Sequence, residues 1–542
     1  MIRWLPLALL LALIAAPLLL RPAAKPAPQR SVIVVSPHGE QIRYEFGVAF
    51  ASFMKRTSGE DVAVDWRSPG GTNDITRMLD ARYAAAFAAG AGRDFADLGK
   101  DVAEAMTSDK LPKDLPAEQA ARRKACRAAF LDSQTSCDHD VFFGGGEFPH
   151  RQLAGKGYLV DAGLLRDHAD WFAPAIIPQT LSGETMYDAK GRYFGACLSV
   201  FGICASPERL AALGLPLPTG WADLGDPRLF HQTTFSDPTR SAVPATAMER
   251  IIQERIRLAA SAGQPVDPAK VTADEKALES GWRDAWMLIK RLAGNARSVA
   301  DGSSKAVRDV ARGDAAAGVA IDFHGRSEAD WTTREAGGPG KTPGTARLVF
   351  VVPAGGTSLS ADPIALLRGA KNRDLAVQFI TFVLSPEGQR LWNYRVGTPG
   401  GPTVYNLRRV PIRLDAYTAA DRQLMSDPDL DPMATAAAFT FRPEWTKGLY
   451  PFIGPYTKAL CLDPLPELQA AWQAIITAGG PEQVPAAWTE FTWLPCGHAD
   501  AKAVMDRKEL DDPATRLALL RTWTVEAIRR YRLAAQLARE GR

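Results

Sequence analysis

SVIVVSPHGEQIRYEFGVAFASFMKRTSGEDVAVDWRSPGGT, Ser31 to Thr72, places two strand-like runs in the chain, each leading into a short turn of small and polar residues. Ser31 to Val35 has strand character, with Val32 to Val35 apolar and β-branched, and it ends at Ser36-Pro37-His38-Gly39. Ile42, Phe46, Ala49, Phe50 and Phe53 then recur at helical spacing until Gly59. DVAVDW, Asp61 to Trp66, alternates as a strand and runs into Ser68-Pro69-Gly70-Gly71-Thr72 ahead of another helical pattern. Strand, turn, helix, repeated, predicts a parallel α/β sheet, because parallel neighbours need a crossover and a helix supplies it.

The rhythm continues outward. A charged, Ala-rich stretch from Gly90 to Asp140, punctuated by Pro112 and Pro116, reads as a surface insertion. DVFFGGGEF follows, a buried-type strand ending at Gly144, Gly145 and Gly146. GRYFGACLSVFGICAS is a further strand, TFSDPTRSAV (Thr234 to Val243) a polar strand exit opening a helix, and GVAIDFHGR a strand ending at Asp322-Phe323-His324. Past Gly400 the pattern is helical and rich in Pro and Trp.

Composition sets limits. At 542 residues the chain exceeds the size at which one core keeps growing, so two or more lobes are expected. The 64 basic and 61 acidic residues leave a net charge of +3 without long runs of one sign, which gives no electrostatic case for nucleic acid. MIRW and the 16-residue apolar run Leu5–Leu20, followed by a Pro/Ala-rich stretch, carry the parts of an export signal. Cleaved peptide and retained transmembrane anchor both fit residues 1–30, and Pro22 to Pro28 reads as a tether.

Six cysteines suit an oxidising compartment. Cys126 with Cys137 could close a loop worth about 3 kcal/mol, and Cys461 with Cys496 could pair. Cys197 and Cys204, seven apart in one strand, would face opposite sides and stay unbonded. No metal-ligand spacing stands out, and Cys137 to Asp140 (CDHD) reads as a strand-entry loop. GGPGKT, Gly337 to Thr342, fails as a phosphate loop because Glu335 stands where its first glycine belongs. Neither a nucleophile elbow nor a dinucleotide fingerprint occurs, so an enzyme is not expected.

What recurs is a position. Polar turns follow four candidate strands, and in open α/β sheets ligands bind beyond the strands' carboxyl ends, where helix starts offer free amides. The candidate ligand-binding residues are Ser36 and His38; Gly70, Gly71 and Thr72; Gly144, Gly145 and Gly146; Thr239, Arg240 and Ser241; and Asp322 and His324. Ser241 doubles as a helix cap, and Asp237 turns the backbone.

In this order the segments SPHG, DVFFGGGEF with GYLVDAGLL, YFGACLSVFGICAS, PTGWADLGDPRLF, SDPTRSAV, GDAAAGVAIDFHGR and DPIALLRGAKNRDLAVQFITFVLSPEGQ resemble bacterial extracellular solute-binding proteins of ABC importers, nearest their ferric-iron-binding branch. The resemblance covers about residues 31 to 410. It implies a type II periplasmic-binding-protein fold: lobe 1 from 31–196 and 350–400 with the insertion 90–140, lobe 2 from 197–349, and a helical extension 401–542 packing mainly on lobe 2. Crossing strands near Ala196–Ser199 and Val349–Val352 would be the hinge. It implies a periplasmic or envelope-tethered monomer that needs no cofactor and hands a small solute to an inner-membrane ABC permease. Iron-binding members carry paired tyrosines near DFHGR; with Asp322-Phe323-His324 there instead, the expected solute is polar or anionic, such as an iron chelate or another oxyanion-bearing molecule. A sensor for a membrane partner and an exported α/β hydrolase are the competing readings.

Overall fold

The computed structural model describes residues 28, 30–112, 114–337 and 346–542. The export segment and most of GGPGKT lie outside the described residues. Among the described residues, no helix is long and apolar enough to cross a membrane.

The strands are β1 (Arg30–Val35), β2 (Val62–Arg67), β3 (Val141–Phe143), β4 (Leu159–Val160), β5 (Thr180–Leu181), β6 (Glu184–Thr185), β7 (Phe194–Ala205), β8 (Thr233–Ser236), β9 (Ala296–Ala300), β10 (Ala317–Ile321), β11 (Val349–Val351), β12 (Leu359–Leu367) and β13 (Val410–Pro411). Eleven of them form one mixed sheet, β2-β1-β3-β12-β7-β10-β8-β9, with β11 and β13 also on β7 and β4 on β12. β1, β2 and β3 run parallel, as do β8, β9 and β10. The helices Glu40–Thr57, Thr72–Ala89 and Ala242–Ala260 follow β1, β2 and β8, so these polar turns do join strand to helix.

β7 fixes how the two parallel sets face each other. Val200 to Phe194 pair antiparallel with β12, while Phe201 to Ala205 pair antiparallel with β10. Since β12 is also antiparallel to β3, the first set runs along β7 and the second against it. Their carboxyl ends therefore converge on β7 between Phe194, level with Phe143 at the end of β3, and Phe201, level with Ile321 at the end of β10. The crossing partner of β7 is β12. β11, where a hinge strand was expected, pairs only with Ala205 to Ile203 at the far end of β7.

The core divides in the same way. Phe46, Phe50, Val141, Leu198, Ile364, Phe379 and Ile412 belong to the first half, and Ile203, Trp221, Phe235, Trp282 and Val319 to the second. The stretch 90–140 is helical and packs Phe95, Cys126 and Phe130 against Tyr83 and Phe87 of the helix Thr72–Ala89. The extension splits. Residues up to Ile412 pack on the first half, where Glu45 accepts from the amides of Thr403, Val404 and Tyr405 at 2.7 Å each. From Trp445 onward, Phe452, Tyr456, Trp472 and Tyr531 join the second-half core.

The cysteines correct an expectation: all six are buried free thiols. Cys197 and Cys204 do lie on one continuous strand, in separate core clusters. Burial pushes the thiols of Cys204, Cys461 and Cys496 up to about 12, which suppresses thiolate chemistry.

Candidate ligand-binding site

The first wall is built on β1 and β3. Gly144, Gly145 and Gly146 have φ of 90°, 99° and 87°, a run that side-chain-bearing residues rarely adopt. A Cβ on Gly144 would fall 2.6 Å from the His38 ring, and one on Gly145 would fall 2.8 Å from Thr72 Oγ1. The three glycines thus allow the turns after β1, β2 and β3 to close on one another, bringing Ser36, His38 and Thr72 beside Gly144 to Gly146. Gly70 and Gly71 stay exposed, and Gly71 N–H donates to Asp74 Oδ2 at 3.0 Å as a helix cap.

Two residues outside the sequence-derived set organise this wall. Asp362 on β12 accepts from Gly146 N–H at 3.1 Å through Oδ1; its Oδ2 lies 3.0 Å from His38 Nε2 and accepts from Arg409 Nη1 at 2.6 Å. Arg409 also donates to Ser199 Oγ on β7 at 2.6 Å and lies over Phe323 (4.5 Å) and Trp392 (5.5 Å). Burial pushes the Asp362 carboxyl up, but the charge of Arg409 and the hydrogen bond from His38 outweigh it and hold the group well below the usual carboxylate range. Burial lowers His38, offset only partly by Asp362, so the fold favours the neutral imidazole. His38 is buried rather than water-exposed, and the Ser36 hydroxyl accepts from His38 N–H at 3.1 Å.

Asp322 and His324 come to the same floor from β10. Asp322 is fully buried; Oδ1 accepts from Phe323 N–H at 2.9 Å, while Oδ2 has no hydrogen-bond partner. Burial raises its carboxyl to about 6, against the pull of Arg326 and Arg409. His324 is pushed down to about 4, by burial first and by Arg409 second, so it too is uncharged at neutral pH.

The second wall holds Thr239, Arg240 and Ser241. The hydroxyl of Ser241 does not cap the helix Ala242–Ala260, contrary to expectation; it lies 2.7 Å from Ser303 Oγ, which lies 3.2 Å from Ser236 Oγ. Ser303 begins the helix Ser303–Ala311, so three linked hydroxyls sit where two helices start. Thr239 donates to Asp237 Oδ1 from both N–H (2.8 Å) and Oγ1 (2.7 Å), and Arg240 is exposed.

The walls are tied beside the crossing strands. Arg250 of the helix Ala242–Ala260 pairs with Glu184 on β6 and, at 2.9 Å, with Glu249. Glu184 also accepts from Ser358 at 2.5 Å and Ser360 at 3.2 Å. Farther out, the Tyr450 hydroxyl lies 3.2 Å from Thr246 Oγ1, and its ring centroid lies 5.1 Å from that of Phe148. Among the described residues no group of three or more His, Cys, Asp or Glu could hold a metal ion. Hollows of about 400 and 440 Å³ lie elsewhere, one lined by second-half residues such as Ala474 and Ala538 and the other by first-half residues such as Arg67 and His139.

Sequence reading missed Asp362, Arg409, Ser199 and Ser303. Asp362 lies inside an apolar strand, and only its charge in that setting was a signal; Arg409 stands past the expected lobe boundary in a chain with many arginines.

Residues 154–409 match the family of bacterial extracellular solute-binding proteins. Over 254 residues the chain is 27% identical to an uncharacterised Haemophilus influenzae protein, covering 46% of this chain and 60% of the relative. Over 268 residues it is 23% identical to the phosphoglycerate transport regulatory protein PgtC of Salmonella typhimurium, covering 49% and 54%. The chain thus spans just over half the length of these curated relatives. Among solved structures it is similar to the periplasmic binding protein AfuA of Actinobacillus pleuropneumoniae, with TM-score 0.45, 18% identity and coverage of 76% of this chain and 94% of that one. It is likewise similar to the apo ferric ion-binding protein A of Pasteurella haemolytica, with TM-score 0.46, 10% identity and coverage of 79% and 96%.

Proposed function

Taking residues 154–409 as an extracellular solute-binding domain, we propose that this protein is the extracytoplasmic receptor of an ABC importer. It binds a small anionic solute, carrying a phosphate or carboxylates, between the two sets of strand ends and presents it to an inner-membrane permease. The observation that carries this reading is the meeting of oppositely directed strand ends over Phe194 to Phe201 of β7, with three linked hydroxyls at two helix starts on one side. Helix starts favour negative charge through their unpaired amides and dipole, and serine hydroxyls can donate to the same oxygens. The phosphoglycerate in the name of the Salmonella relative is a solute of this class. The lobes are β1 to β3 with their helices, and β8 to β10 with theirs; the hinge is the pair β7 and β12, which closes the lobes on the solute.

Titration of the full chain with 3-phosphoglycerate, citrate, ferric citrate and spermidine, followed by tryptophan fluorescence and small-angle scattering, tests the reading. Compaction with an anion and none with spermidine is expected; response to spermidine alone overturns it. The word "regulatory" in the relative's name favours a second reading, a receptor that reports solute to a membrane partner. Uptake of labelled solute by vesicles carrying the permease separates the two.

A further inference from the structure

The geometry points to the segment Tyr450–Thr457, outside the family match, as a third wall of the solute site, with Tyr450 selecting for the part of the solute beyond its anionic end. The inference rests on the functional reading above and deepens it. Three contacts carry it. The Tyr450 ring meets Phe148, two residues past the glycine turn of the first wall, at 5.1 Å between centroids. Its hydroxyl lies 3.2 Å from Thr246 Oγ1, five residues past Ser241 on the second wall. Gly454 packs so closely on the turn after β8 that a Cβ would stand 3.1 Å from Pro238 O and 3.7 Å from Thr239 Cα.

The segment is held from behind. Phe452, Ile453 and Tyr456 are fully buried in the second-half core, and Thr446 Oγ1 donates to Glu249 Oε1 at 2.9 Å. Tyr450 itself is largely buried between the walls but not closed off from solvent. A rigid aromatic face with a hydroxyl at its tip, set where two walls meet, suits a solute with an anionic head and a short polar carbon skeleton: the hydroxyls and helix starts take the head, and Tyr450 limits and contacts the skeleton. Selectivity is then a difference between solutes sharing that head.

The test uses the full chain and its Tyr450→Ala and Tyr450→Phe variants, titrated with inorganic phosphate and with 3-phosphoglycerate by calorimetry. Tyr450→Ala should weaken 3-phosphoglycerate about tenfold while phosphate affinity moves less than about twofold, and Tyr450→Phe should fall between. A purely structural tyrosine would shift both probes together. Equal changes for both probes, or none, overturn the inference while leaving the receptor reading standing. If the wild type takes up neither probe, the reading of an anionic solute fails and the inference fails with it. Should Tyr450→Ala not fold, Tyr450→Phe decides alone, through the ratio of the two affinities.

Discussion

The two walls use the same kinds of turn to different ends. At the ends of β1 and β3, polar groups are drawn into a buried ionic network: Asp362 is tied at once to Gly146, His38 and Arg409, and Arg409 is pinned to Ser199. At the ends of β8 and β9, Ser236, Ser241 and Ser303 bond to one another and carry no charge. A buried ion needs fixed partners, because leaving one unpaired costs several kcal/mol. Hydroxyls can exchange a neighbour for a ligand at little cost, since each is both donor and acceptor. On the proposed function the first wall is framework and the second receptive, so substitutions in the first should show in stability and those in the second in affinity.

The largest effect is expected at Asp362. Asp362→Asn keeps the shape but deprives the buried Arg409 of its hydrogen-bonded carboxylate, leaving only the more distant pull of Asp322, a loss of about 3–5 kcal/mol. A lowered denaturant midpoint at unchanged slope would report it, and adding Arg409→Met should restore part of the loss because both changes touch one network. An unchanged midpoint for Asp362→Asn would break the distinction between the walls.

Asp322 sharpens it through pH. Its carboxyl, raised to about 6 by burial, holds its proton more tightly in the folded protein than in the unfolded chain. The cost of ionising it is absent at low pH and grows as the pH rises through about 6. Asp322→Asn removes that cost and can keep the bond from Phe323 N–H. Its unfolding temperature should therefore rise relative to wild type between about pH 4 and about pH 7. A constant difference across that range would mean that Asp322 is not the titrating group.

How far the sequence showed this contrast follows from range of interaction. The strands, the helices after β1, β2 and β8, and the glycine turn were legible, since Val32 to Val35, Phe46 with Phe50, and Gly144 to Gly146 are set by local pattern and backbone need. The binding candidates Ser36, His38, Thr72 and Gly144 to Gly146 do come together, but sequence could not show that His38 is occupied, because its partners lie 324 and 371 residues away. Ser241 read as a cap by local rules, yet its hydroxyl turns to Ser303, 62 residues on. The expected disulfides failed on the same ground: spacing bounds the loop, but burial of each thiol in its own packing is a tertiary fact.

The smallest effect on stability is expected where the effect on function should be greatest. Ser241→Ala with Thr239→Ala removes one hydroxyl from the serine chain and one bonded only to Asp237. Ser303 keeps Ser236 as a partner, Thr239 N–H still reaches Asp237, and no buried charge is uncovered. The unfolding temperature should therefore drop by no more than about 2 °C. Affinity for 3-phosphoglycerate should nonetheless fall about tenfold, as expected when hydrogen bonds to a charged group are lost. Calorimetric titration beside thermal unfolding of the same preparation measures both. If affinity holds, the anion is not bound at the second wall; if stability collapses, the serine chain is framework too and the contrast between the walls disappears.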